Sequence, residues 1–191
     1  SAHAGTTPMR LRHDAVYCAA AIATYVRDLT RHLGPEQVGT VGRIDVYPNL
    51  VNVVPSRVVM TVDLRNTDER VLQEAEAQLA TMLVELAELE GVVITTTSLA
   101  RFEPVDFDGS MIDLVQTTAD RLGHSTRRMP SGAGHDAQML ARICPTAMVF
   151  TPSVNGLSHN IAEFTEDVDI EAGANVLLQV VLTLASTDGT A

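Results

Sequence analysis

The chain has no tryptophan, only 4% aromatic residues, two cysteines in 191 residues, and 13 Lys plus Arg against 24 Asp plus Glu. Its few basic residues are scattered, which excludes the positive footprint that nucleic acid or an anionic lipid surface requires. With a net charge of -11, any arginine in a cleft is a local exception suited to holding an anionic small molecule. Cys18 and Cys144 have no paired spacing, so no disulfide framework is present, and they read as reduced, buried thiols of a cytoplasmic protein. A single disulfide between them stays open. The longest apolar runs, such as residues 19–23, fall far short of a membrane span, and no cleavable signal pattern opens the chain, so no membrane partner is expected. The first residue is Ser1, inside an expected strand end, from which a preceding segment is expected.

What is present is aliphatic and packed: 46% hydrophobic and 19% charged residues, the balance of a folded domain rather than a disordered chain. Apolar Val16, Ala19, Ala23, Val26, Leu29 and Leu33 recur at helical spacing over residues 14–33, with Gly34-Pro35 as the stop. Short-period alternation over 38–46 and an extended piece at 50–54 flank the turn residues Tyr47-Pro48-Asn49. Residues 57–65 alternate cleanly, with Val58, Met60, Val62 and Leu64 on one face and Asp63 and Arg65 on the other. Thr67 is the expected N-cap of a helix striped by Leu72, Ala75, Leu79, Leu83 and Leu86, which Gly91 ends before a β-branched strand at 92–98.

That order, completed by a strand ending near His3, is a βαββαβ unit, so residues 1–105 are expected to form a ferredoxin-like layer with its first strand clipped. Such two-layer domains commonly dimerise through a free face. From 106 to 191 the pattern is helix to 122, strand at 126–129, helix to 143, strand at 146–151, and a last helix over 169–185. About eighty residues supply too few strands for a covered parallel sheet, so this segment reads as half of a three-layer α/β domain.

Several polar residues interrupt these patterns. Gly132, Gly134 and His135 lie between an expected strand and helix, where backbone N–H groups hold anions or merely make a tight connection. His159 follows a buried strand at the end where ligands gather in open sheets, and Glu163 either orients it or is a helix N-terminal charge, the second reading being favoured. His3 precedes two hydroxyl residues and a helix start. Asn52 and Arg65 break strand patterns; Arg65 either grips a carboxylate or pairs with Asp63 or Asp68.

The strings His-Ala-Gly-Thr-Thr-Pro-Met at 3–9, Asn-Val-Val-Pro at 52–55, Asp-Leu-Arg at 63–65, Ser-Gly-Ala-Gly-His-Asp-Ala at 131–137 and Gly-Leu-Ser-His-Asn at 156–160 together resemble the amidase, hydantoinase/carbamoylase family of the dinuclear metallopeptidase clan. The resemblance covers nearly the whole chain. It implies hydrolysis of a C–N bond in N-carbamoyl amino acids, ureidopropionate or allantoate, with two divalent metal ions (Mn, Zn, Co or Ni). By the same resemblance a lid domain dimerises and supplies His3 to the oxyanion and Asn52 and Arg65 to the substrate carboxylate. Gly134 and His135 would line the pocket, and His159 would be a metal ligand. The family's remaining ligands and its general base match nothing in this chain, so a fragment that does not retain metal and is inactive alone is expected. A non-catalytic dimerisation and ligand-binding module, and an aminoacylase or peptidase of the same clan, are the other readings.

Overall fold

The computed structural model describes residues 1–187, and its first ladder is minimal: β1 (Ala2–His3), after which a 3-10 turn at Met9–Leu11 leads into helix α1 (Ala15–Leu33). Asp14 sets the start of α1, its carboxylate accepting from the N–H of Val16 (2.9 Å) and Tyr17 (3.2 Å), donors that a helix cannot satisfy internally. Gly34, at φ 102°, ends it in a backbone region that side chains avoid. The buried face is Cys18, Ile22, Val26 and Leu29 with Ala19, whereas Val16 is solvent-facing, so the stripe is rotated slightly from the expected one.

β2 (Val38–Tyr47) pairs antiparallel with β4 (Arg57–Arg65), from Val38 opposite Arg65 to Tyr47 opposite Arg57, with an irregularity between Thr40 and Arg43. Between them, β3 (Val53–Val54) pairs antiparallel with β1, His3 opposite Val53. The alternation of β4 is realised: Met60, Val62 and Leu64 pack with Val41 onto Cys18, Ile22, Val26 and Leu86. Helix α2 (Glu69–Glu90) closes this core with Leu72, Ala75 and Leu86. Its cap is Asp68 rather than Thr67, because the Asp68 carboxylate reaches the N–H of Arg70 (2.8 Å) and Val71 (3.4 Å).

The strand expected at 92–98 does not form. Val92 and Ile94 pack inward while Val93 is 89% exposed, so the alternation survives, but no backbone ladder accompanies it among the described residues. β4 is bonded to β2 alone and β1 to β3 alone, so 92–98 is paired with none of these strands. Among the described residues the strands form two separate two-stranded ladders in place of the expected four-stranded ferredoxin-like sheet, with two helices packed on the β2–β4 pair. Arg101 ties the following segment back to α2 through Glu69 and Glu76, 2.6 Å each. This first compact unit is Ser1–Pro104.

The second unit is Val105–Ala191, described to residue 187. Asp108 caps helix α3 (Gly109–Arg121) by accepting from Met111 N–H at 2.9 Å. Helix α4 (Asp136–Leu140) is shorter than expected, because the Arg142 and Ile143 N–H groups bond carbonyls three residues back instead of four. Helix α5 (Asp167–Thr187) buries Val176 and Val180 against Ala119, with Leu114 and Val115 alongside. The expected strands at 126–129 and 146–151 carry no ladder among the described residues; Thr146 O accepts one bond, from Asp108 N–H at 3.1 Å. Gly173 lets α5 lie directly on the second of these segments, since a Cβ there would overlap the Thr151 methyl.

Two expectations are corrected here. Cys144 is exposed, only Cys18 is buried, and both are free thiols. α5 is also long and apolar enough to cross a membrane by length and composition alone, a stretch well beyond the short runs such as 19–23.

Truncating Val26, which is 2% exposed, is expected to cost about 2 kcal/mol in a Val26→Ala variant by urea unfolding, with a loss under about 0.5 kcal/mol contradicting the core assignment. Leu177, Leu178, Val181 and Leu182 are each about half exposed on α5, so the chain is expected to associate with rising concentration. A monomer by light scattering at high concentration would count against this.

Candidate functional site

His3 stands where the β1 ladder ends. Ala4 N–H donates to Asn52 O (2.9 Å), after which the backbone turns, with Thr7 N–H returning to His3 O (3.2 Å). Inside this turn the N–H groups of Gly5 (3.0 Å) and Thr6 (3.2 Å) both donate to His3 Nδ1. A ring nitrogen that accepts has no proton, so the neutral ring carries its hydrogen on Nε2. His3 is exposed, and its Nε2–H is a donor of fixed tautomer.

One side chain that the sequence patterns did not single out holds the turn from outside: Arg12 donates through Nε to Thr7 O (2.9 Å) and through Nη2 to Ala4 O (2.6 Å). The available signal was a turn that leaves the ladder with carbonyls to satisfy, followed within a few residues by a long forked donor.

Asn52 is the residue before β3, at the same end of the β1–β3 ladder as His3. It is exposed, and its side-chain amide makes no hydrogen bond among the described residues. Arg65 is not brought to this pair by the β2–β4 ladder. It lies at the far end of β4 from the Ser56–Tyr47 bond, about 26 Å along at a strand's rise per residue. There it pairs with Asp63, Nε to Oδ1 at 2.9 Å and Nη2 to Oδ2 at 2.7 Å. The ion-pair reading of Arg65 is thus realised, and a carboxylate ligand would have to exchange with Asp63 for the same fork.

In the second unit His135 caps α4, its Nδ1 accepting Ala137 N–H at 3.0 Å, which again leaves the ring proton on Nε2. That bond uses a donor of α4's first turn and the helix is five residues long, so no anion-holding helix terminus is built here. Gly134 beside it is exposed, and a Cβ on it would meet nothing within 4 Å.

His159 adopts φ 55°, a left-handed backbone, and its N–H donates to Glu163 Oε2 at 2.8 Å. Val154 N–H to Phe164 O (2.8 Å) closes the loop, and Asn160 holds it internally through Ala162 and Glu163 N–H, both at 2.9 Å. Glu163 is therefore neither a helix N-terminal charge, since α5 begins at Asp167, nor a partner of the imidazole; it fixes the backbone. No hydrogen bond engages the exposed His159 ring among the described residues. Nor do three His, Cys, Asp or Glu side chains come together there in a way that could hold a metal ion. The described residues thus do not fit a complete metal centre.

The Arg65 hydrogen bonds hold the Asp63 carboxyl below the usual carboxylate range against an opposing desolvation, and Asp63 in turn raises Arg65. A depressed folded value makes the pair's contribution complete above the unfolded carboxyl value and lost as pH falls through the folded one. Both side chains are half exposed, so the contribution is under about 1 kcal/mol. Asp63→Asn is expected to lower unfolding stability at neutral pH by that amount, with the difference vanishing in acid. An equal deficit at both pH values would contradict the pairing.

With these positions known, comparison with other proteins becomes informative. Residues 28–183 match the model of the Peptidase family M20/M25/M40, whose members are in general dinuclear metal enzymes. The chain is 39% identical over 184 residues to an N-carbamoyl-L-amino-acid amidohydrolase of Rhizobium meliloti, covering 96% of this chain and 44% of that protein. It is 37% identical over 185 residues to the allantoate amidohydrolase of Escherichia coli, covering 97% and 45% respectively. The crystal structure of an amidase of the hydantoinase/carbamoylase family from Burkholderia vietnamiensis superposes with a TM-score of 0.91 at 41% identity, over 95% of this chain and 44% of that one. The chain spans less than half the length of these relatives, and over that span it belongs to the Peptidase family M20/M25/M40.

Proposed function

We propose that this chain is the lid and the C-terminal catalytic portion of a divalent-metal-dependent amidohydrolase that cleaves the C–N bond of N-carbamoyl amino acids or related ureido acids. Its own residues grip the substrate. The observation that carries this reading is the His3 turn, whose two backbone donors leave an exposed Nε2–H beside the unengaged amide of Asn52. A donor of fixed tautomer suits the negative charge that develops on a carbonyl oxygen under attack. The Arg65 fork is the carboxylate grip, exchanging substrate for Asp63, and the Asn52 amide is a separate neutral donor beside the His3 turn. Within the unit Val105–Ala191, Gly134 and the His135 Nε2–H are the groups offered to substrate. His159 contributes one imidazole to the metals, Mn, Zn, Co or Ni, that activate water in such an enzyme. The described residues do not make a centre that would retain them, so that activation falls to residues other than these.

The unit Ser1–Pro104 serves as lid and homodimer surface, and the protein works in the cytoplasm on a small ureido or carbamoyl acid. A second reading, a dimerisation and ligand-binding module without catalysis of its own, is favoured by the lack of a three-ligand cluster among the described residues.

The test of the grip is Arg65→Ala in the natural polypeptide that carries this chain, assayed on N-carbamoyl amino acids, ureidopropionate and allantoate. Losing a forked, charge-assisted pair is expected to raise KM about 100-fold, equivalent to ~2.7 kcal/mol. An unchanged KM would sink the carboxylate assignment.

A further inference from the structure

We propose that Arg12 is a positioning residue that sets the tautomer and aim of the His3 imidazole through a single peptide group. This rests on the reading above, in which the His3 Nε2–H serves the substrate. The chain of contacts is continuous: Arg12 Nη2 donates to Ala4 O at 2.6 Å, and Gly5 N–H donates to His3 Nδ1 at 3.0 Å. The Ala4 carbonyl and the Gly5 N–H are two ends of one planar unit, pointing in opposite directions. Holding the oxygen therefore aims the hydrogen. Successive hydrogen bonds of this kind also polarise one another, so the guanidinium charge strengthens the Gly5 donor as well as orienting it.

The second arm of the guanidinium keeps that peptide from rotating. Arg12 Nε donates to Thr7 O at 2.9 Å, so one rigid fork spans both ends of the segment that carries the Gly5 and Thr6 donors. The fork is itself anchored: His13 bonds through Nδ1 to Glu90 O (2.8 Å) at the end of α2, and Asp14 caps α1. Arg12 is half-buried, and its side-chain hydrogen bonds among the described residues go to the two backbone carbonyls and not to the imidazole, so its effect on His3 is indirect. Without it, the β1–β3 ladder still holds His3's backbone, but nothing among the described residues fixes the Ala4–Gly5 plane from the other side. His3 would then populate both neutral tautomers, and a ring with its proton on Nδ1 presents an acceptor where the substrate oxygen needs a donor.

Nitrogen-15 NMR of the His3 imidazole in the 191-residue chain, in mildly alkaline solution, tests this directly. The parent is expected to show the Nε2–H form alone, Arg12→Ala a mixture of both tautomers with an upfield shift of the Gly5 amide proton, and Arg12→Lys an intermediate mixture, since a lysine can bond one carbonyl but not span two. A folded Arg12→Ala chain whose His3 remains wholly in the Nε2–H form overturns the proposal. Should the variants not fold, the parent decides: slow exchange of the Arg12 Nε–H relative to the exposed Arg70 supports the fork, and equal exchange overturns it. In the natural polypeptide Arg12→Ala is expected to lower kcat about tenfold with KM nearly unchanged, as befits an interaction used in the transition state. If His3→Ala leaves kcat intact while the tautomer shift is seen, the role given to His3 fails and the role of Arg12 in holding it stands.

Discussion

A backbone N–H or C=O that leaves a ladder has to find another partner, and in this chain polar side chains supply it at three helix starts and at the candidate functional turns. Asp14, Asp68 and Asp108 open the three helices α1, α2 and α3 by accepting first-turn N–H groups. The same chemistry fixes the candidate functional residues. His3 accepts from its own turn, Arg12 donates to that turn, His135 accepts from α4, and Glu163 accepts from the backbone of His159. In each case satisfying the backbone leaves something defined on the outside: a ring proton on Nε2 for His3 and His135, an unengaged imidazole for His159. Positioning and backbone satisfaction are one event here.

Where no partner is available, secondary structure does not form. Residues 92–98 have the composition and the inward alternation of a strand, with Val92 and Ile94 on the core of the first unit, yet they carry no ladder among the described residues. β-branched residues fit a pleated surface but cannot supply a neighbour's carbonyls. Residues 126–129, exposed throughout, and 146–151 likewise carry no ladder among the described residues. The apolar flank of α5 shows the parallel effect for side chains, burying Val176 and Val180 while Leu178 and Leu182 stay half exposed.

These limits explain which parts of the fold were legible in the sequence. Helical spacing located α1 and α2 to within a residue, and strict alternation located β4, because both signals are local. Asp63 and Arg65, two apart on one face of a strand, could be recognised as a possible pair for the same reason. Arg12 could not, since its partners are two carbonyls that only the folded turn brings to one spacing. Glu163 was misread because four residues before a helix looks like a helix start, whereas the left-handed turn at His159 brings that N–H to the carboxylate. The family strings were legible because they are contiguous runs of residues that need no folded partner to be read.

The proposed division of labour gives this chain the substrate-gripping side chains and leaves the metal centre incomplete among its described residues. Its most direct test is turnover of N-carbamoyl amino acids, ureidopropionate and allantoate by the purified 191-residue chain, with Mn, Zn, Co and Ni supplied in excess. The expected result is no turnover above the metal-only control and no metal retained after gel filtration. Sustained turnover with metal bound at stoichiometric occupancy would contradict that division.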